Sequence, residues 1–140
     1  MIVLDSNVIS EPLKARAEPA VIRWLDSQDP ETLYLTATSL AMILIGIALL
    51  PAGQRKRGME LAMQSLQTEL FAGRFLSFDR EAAIAFALLG RRAAAKGYPI
   101  SIADCQIAAI AAVHGFAVAT RDTAPFLAVG VPVVNPWEGF

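Results

Sequence analysis

Short, nearly uninterrupted apolar runs punctuate this chain, and each gives way to a polar residue or turn before a longer stretch with helical spacing. Residues 1–4, 33–36, 75–78, 116–120 and 131–134 are too short for stable helices and show no polar alternation. They predict strands buried on both faces. Between them the spacing predicts helices over 19–27, 39–50, 54–71, 80–96 and 101–114, the second largely buried and the third with Leu61, Leu66 and Leu70 on its core face, with Pro51, Gly53, Gly97, Pro99 and Gly115 as stops. Strands alternating with helices require right-handed crossovers. The expected fold is therefore α/β, with a central, mainly parallel twisted sheet between two helical layers. At 140 residues the chain is expected to form one domain, 1–140.

In open sheets of this type the ligand site lies outside the carboxyl ends of the strands. Asp5 ends the first apolar run and Asp122 follows the run closing at Thr120. Asp104 opens a helix behind Ser101 and can point into the same crevice. Carboxylates gathered there suit a hard divalent cation, which prefers oxygen ligands. Each acid alone also fits a structural role. Asp5 and Asp122 can start turns, and Ser101 to Asp104 has capping-box spacing with Asp in place of Glu. The set, with its strand context, favours metal-assisted hydrolysis.

Composition narrows the alternatives. A hydrophobic fraction of 55% with 18% charged residues is more apolar than an ordinary globular chain. It predicts a surface covered by a partner or a second copy. The net charge of -1 gives no broad attraction to nucleic acid, so such a substrate must be held by local patches. Cys105 is the single cysteine, which suits a reducing, cytoplasmic setting, and it reads as a small core residue. His114, the lone histidine, reads as a solvated residue of a helix's last turn. No signal peptide is expected, since an acid arrives at position 5 and no basic flank precedes a long apolar run. Residues 32–54 carry no charge and are followed by Arg55, Lys56 and Arg57, superficially like a membrane span. Thr36, Thr38 and Ser39 interrupt that run, and a span would separate Asp5 from Asp104, so no membrane is expected.

Several ordered blocks resemble a known group. They are Ile2-Val3-Leu4-Asp5-Ser6-Asn7-Val8-Ile9-Ser10-Glu11, Gly46-Ile47-Ala48-Leu49-Leu50-Pro51-Ala52-Gly53 and Pro99-Ile100-Ser101-Ile102-Ala103-Asp104-Cys105-Gln106, followed by Ala119-Thr120-Arg121-Asp122 and Val133-Val134-Asn135-Pro136-Trp137. Together they resemble the PIN-domain proteins of the bacterial VapC/FitB-like toxin group over nearly the whole length. The resemblance implies a three-layer PIN-like fold and a metal-dependent endoribonuclease, the toxin of a type II toxin–antitoxin pair. It implies a Mg²⁺ or Mn²⁺ site to which Asp5, Asp104 and Asp122 bring three of four family acids. Ser6 and Thr120 would position water or phosphate, and Arg121 would contact substrate. RNA would be cut by metal-activated water. A cognate antitoxin of the VapB/FitA kind, a homodimer and a toxin–antitoxin hetero-oligomer are the implied partners, with Leu44, Ile45 and Leu49 as candidate contacts.

One position departs from that pattern. The second acid of the group falls where this chain has Met42, within Ala41-Met42-Ile43-Leu44-Ile45-Gly46. A thioether is a poor ligand for a hard cation, so metal affinity and turnover are expected to fall. The alternative is a catalytically impaired PIN module that mainly binds an antitoxin. Arg55 to Arg57 and Arg91, Arg92 and Lys96 form further basic groups that read equally as solvated helix faces.

Overall fold

The computed structural model describes residues 1–138. The expected bounds of 1–140 run past them. Five parallel strands form one sheet: β1 (Ile2–Leu4), β2 (Leu33–Thr36), β3 (Phe75–Leu76), β4 (Ala117–Ala119) and β5 (Val133–Val134). Their spatial order is β3-β2-β1-β4-β5, so β1 is central and pairs with β2 on one side and β4 on the other. This topology places the ends of β1 and β4 side by side, with Leu4 opposite Ala119. The chain reverses strand order there, and Asp5 leaves the sheet at that point.

Helices cover both faces. They are α1 (Ser6–Ser10), α2 (Pro19–Ser27), α3 (Ala37–Ala48), α4 (Gln54–Ser65), α5 (Arg80–Ala95), α6 (Ile102–His114) and α7 (Ala124–Ala128). Successive strand residues point to opposite faces, and β1 shows the consequence directly. Val3 joins a core with Leu89, Ile107, Val118 and Phe126, under α5, α6 and α7. Leu4 joins a second core with Val8, Trp24, Leu35, Ile43, Met63 and Phe71, under α1 to α4. Each fully buried side chain of this size contributes about 1.5–3 kcal/mol. Cys105 is buried in the first core, as expected, and His114 is exposed.

Several helical details differ from the sequence reading. Helix α3 begins at Ala37 because Thr36, the last residue of β2, caps it by accepting the Ser39 N–H at 3.0 Å. It is also not largely buried: Ser39, Ile43 and Ile47 are buried, Leu40 packs half-buried against the core, and Met42, Leu44, Ile45 and Leu49 are exposed. In the expected helix 54–71, Leu61 and Leu70 face solvent and Met63 and Phe71 are buried. The α-helix ends at Ser65 and a wider π-type turn spans Leu66–Leu70. The extra residue in that turn shifts the helical phase, which returns Phe71 to the core. Helices α1 and α7 lie in segments where no helix was expected.

The charge-free segment is divided between β2 and the twelve-residue α3. Among the described residues no helix is long and apolar enough to cross a membrane. Helix α6 ends at Gly115, whose φ of 70° is the left-handed conformation that closes a helix at little cost only for glycine. The turn it makes aims the chain into β4 and so toward Thr120 and Asp122.

Candidate active site

Asp5 is fixed by the sheet and by the helix it starts. Its N–H donates to the Ala119 carbonyl at 2.9 Å, extending the ladder one residue past Leu4. Its Oδ1 accepts the Ser6 N–H at 2.7 Å at the start of α1, and its Oδ2 accepts the Thr120 hydroxyl at 2.8 Å. The residue is 5% exposed. Asp122 arrives from the neighbouring strand and is exposed. Its N–H donates to Thr120 Oγ1 at 3.0 Å. Asp104 stands in the first turn of α6, where its N–H donates to the Ser101 hydroxyl at 3.1 Å. The capping geometry expected of Ser101 is therefore present, with Asp104 half-buried above it.

Thr120 is the hub. It is fully buried, donates to Asp5, and accepts from both Asp122 N–H and Asn7 Nδ2, the latter at 3.3 Å. A hydroxyl has one donor and two acceptor sites, so Thr120 has none left for a substrate. In this geometry it positions Asp5 and Asp122. Asn7 completes the frame, its Oδ1 accepting the Arg121 N–H at 3.4 Å. Sequence reading passed over Asn7. The available signal was an amide side chain two residues beyond a strand-end acid, close enough to reach a neighbouring strand.

The carboxyl of Asp5 is pushed above its ordinary value, first by burial and then by the charges of Asp104 and Asp122, against the lowering hydrogen bonds from Thr120 and Ser6. Asp104 is raised too, by burial and by Asp122, while Ser101 lowers it. The three acids therefore share one electrostatic environment. Among the described residues the ion pairs are Lys14–Glu11 and Arg80–Glu81, and neither includes them. Like charges held together without a basic partner suit a divalent cation as counterion.

The donor chemistry fits that cation better than the spacing does. Among the described residues no set of three or more His, Cys, Asp or Glu side chains is drawn close enough to hold a metal ion. Asp5, Asp104 and Asp122, the carboxylates expected to hold a metal, stand within electrostatic reach of one another but are not drawn to ligand distance. Mutual repulsion opposes closure, Asp5 is tied by two hydrogen bonds, and Ser101 holds Asp104. The fourth wall is apolar: Met42 is 44% exposed and lines a pocket of about 330 Å³ with Ser6, Ser10, Gly46, Arg55 and Met59.

The Arg121 side chain does not join the acids. Its guanidinium lies over the Trp137 ring, 5.3 Å from the centroid, where its charge helps lower the Glu11 carboxyl. Lys56 donates to the Ala48 carbonyl at 3.0 Å, and Lys96 to the Ala128 carbonyl at 2.8 Å. Arg92 reaches the Val129 carbonyl at 3.4 Å. Those cations tie helix and loop carbonyls.

A family model described as PIN domain matches residues 2–131. The chain belongs to the PIN-domain family. It is 47% identical over 138 residues to a VapC ribonuclease of Sinorhizobium fredii, covering 99% of both chains. It is 44% identical, with the same coverage, to the toxin FitB of Neisseria gonorrhoeae. A solved structure of FitAB bound to a DNA fragment superposes with a TM-score of 0.93 at 44% identity, over 98% of this chain and 96% of that one. The parallel sheet flanked by helices is accordingly the PIN-like α/β/α fold expected from the sequence. Within this PIN domain Asp5 and Asp122 follow the ends of β1 and β4, Asp104 faces them from α6 at electrostatic range, Ser6 and Met42 line one pocket, and Arg121 and Trp137 line another.

Proposed function

We propose that this chain is a metal-dependent endoribonuclease, the toxin of a type II toxin–antitoxin pair, folded as a single PIN-like domain over 1–140 and weakened by Met42. The observation that carries the reading is the convergence of Asp5, Asp104 and Asp122 on the carboxyl edge of β1 and β4, with Thr120 bonded to two of them. The names of the relatives, a VapC ribonuclease and a FitB toxin, support it.

Asp5, Asp104 and Asp122 would hold Mg²⁺ or Mn²⁺, which when bound supplies a nucleophilic water and offsets charge on the phosphate. Asp5 enters that role already oriented, because Ser6 and Thr120 restrain both carboxylate oxygens. Its burial and raised pKa mean that its negative charge is costly until compensated, which favours cation binding over an empty ionised site. Ser6, half-buried beside Asp5, faces the pocket from which a phosphate would approach. Met42 stands on that wall without an oxygen to offer.

The exposed row of Leu44, Ile45 and Leu49 on α3, the last 79% exposed, supports pairing with a second copy or with a cognate antitoxin. The FitAB complex bound to DNA supports the same antitoxin-bound hetero-oligomer, and the setting would be cytoplasmic. Met42 also favours a second reading, an impaired PIN module whose present activity is antitoxin binding. The deciding experiment measures RNA cleavage and Mn²⁺ binding for this chain and for Met42→Glu. Cleavage by both, greater in Met42→Glu, supports the weakened nuclease. Cleavage by Met42→Glu alone supports the impaired module, and absence of both metal binding and cleavage in both proteins overturns the nuclease.

A further inference from the structure

Beside the acid cluster lies a second, polar pocket of about 370 Å³, lined by Glu11, Lys14, Arg16, Glu18, Arg121 and Trp137. Its volume falls within the range of ordinary small-ligand sites. Three cations and two carboxylates line it, but the carboxylates are already engaged. Glu11 is 3% exposed, pairs with Lys14 at 2.9 Å and accepts the Glu18 N–H at 3.1 Å. Glu18 accepts the Ala20 N–H at the start of α2. Arg16 and Arg121 take part in none of the ion pairs among the described residues. The pocket therefore carries a net positive charge of one, with two guanidiniums outside any ion pair.

Trp137 gives the pocket its second property. Its ring carries the Arg121 guanidinium on one face, which holds that side chain in a defined direction and leaves its planar edge of N–H donors for an anion. Arg121 is also the chain neighbour of Asp122, so the pocket begins where the acid cluster ends. Asn7 fixes the Arg121 backbone with the same side chain that reaches Thr120. Paired guanidiniums beside an aromatic face suit one ligand chemistry: a phosphate linked to a flat base, as in a single strand whose bases are unstacked.

We infer that this pocket is a nucleotide subsite, in which Arg121 and Arg16 take the phosphate next to the scissile one and the Arg121–Trp137 stack takes its base. The inference rests on the nuclease reading for its register relative to the cut, but not for binding itself. Of the two tryptophans, Trp24 is buried in the core and Trp137 is half-buried at its border and lines the pocket, so a quench of intrinsic fluorescence on adding ligand reports Trp137.

The test titrates short single-stranded RNA into the full chain in EDTA, where no divalent cation permits cleavage, following tryptophan fluorescence at several salt concentrations. Quenching is expected, and Trp137→Phe should abolish it while weakening binding, measured by anisotropy of a labelled strand, by about fivefold. Arg121→Gln should bind about tenfold more weakly, with the salt slope reduced by about 0.7 for the lost phosphate contact. Arg121→Lys should keep the slope and lose part of the affinity, because an ammonium retains the charge without the planar fork. Unquenched fluorescence on RNA binding, or an Arg121→Gln protein with unchanged affinity and slope, overturns the subsite even if the chain cuts RNA. Equal quenching by polyglutamate also overturns it, since the pocket would then select anions without bases. Quenching with no cleavage under any divalent cation leaves the subsite standing and removes the nuclease reading.

Discussion

The Thr120 hydroxyl donates to Asp5 Oδ2 at 2.8 Å across 115 positions of sequence. This bond ties the end of β4 to the end of β1 at the point where the strand order reverses. The same oxygen accepts the Asp122 N–H, so one buried atom sets the relative placement of two candidate ligands.

Replacing that hydroxyl should show its value. Thr120→Val keeps the shape but strands Asp5 Oδ2, the Asp122 N–H and the Asn7 amide. A loss of about 2–3 kcal/mol in urea unfolding is expected, since each stranded buried polar group costs about 1–3 kcal/mol and Asp122 can turn to water. Thr120→Ser should recover most of it. Equal stability of the valine and wild-type proteins would show that the hub is ornamental.

Glu11 predicts an acid limb in the stability curve. Its carboxyl is held below the ordinary value by Lys14, bonded to it and charged beside it, with help from the Glu18 N–H and Arg121 and against the cost of burial. A lowered folded value means the unfolded chain binds the proton first. The stabilisation is complete above the unfolded value of about 4.3–4.5 and is lost as pH falls through the folded one. Glu11→Gln should therefore cost about 1.5 kcal/mol at pH 7, typical of a lost charged hydrogen bond, and converge with wild type on acidification. Thermal unfolding from pH 7 to 3 measures both; a gap that widens on acidification would contradict the assignment.

The places of the five strands along the chain were legible because each apolar run was short and bounded by residues that cannot continue it. The ends of the Pro19–Ser27 helix were legible for the same reason, with Pro19 at its first position. Faces were harder to read. Leu61 and Met63 are both apolar, and only the packed position of α4 and the π-type turn at Leu66–Leu70 decide which enters the core. At the site, Asp5, Asp104 and Asp122 could be found from strand ends and a cap, as local patterns. Asn7, Glu11 and Trp137 act through partners 7 to more than 100 positions away, Asn7 bonding Thr120 and Glu11 bonding the Glu18 N–H. No local pattern encodes such pairings.

Ser39 marks a place where the sequence is not optimised for stability. Its hydroxyl is buried with no hydrogen-bond partner, while its N–H is satisfied by Thr36. Ser39→Ala removes an unpaired polar atom from a helix interior and adds helix propensity. A gain of about 1 kcal/mol in denaturant unfolding is expected. A loss of similar size would mean that the hydroxyl has a partner in solution, such as an ordered water.

Met42 allows the metal reading to be tested without measuring catalysis. A carboxylate at 42 would join Ser6 on the pocket wall beside Asp5 and add a fourth negative charge near Asp5 and Asp104, both already raised by burial first and by neighbouring acids second. Without divalent cations Met42→Glu should therefore melt lower than wild type. With Mn²⁺ the order should reverse, because a ligand bound only by the folded state stabilises it by RT ln(1 + [L]/Kd), about 2.7 kcal/mol at one hundred times Kd. Met42→Gln supplies an oxygen without the charge and should fall between the two. A thermal-shift titration with Mn²⁺ separates these cases at once. Identical metal-induced shifts for Met42, Gln and Glu proteins would place position 42 outside the metal's reach, and absence of a shift in all three would remove the cation from the acid cluster.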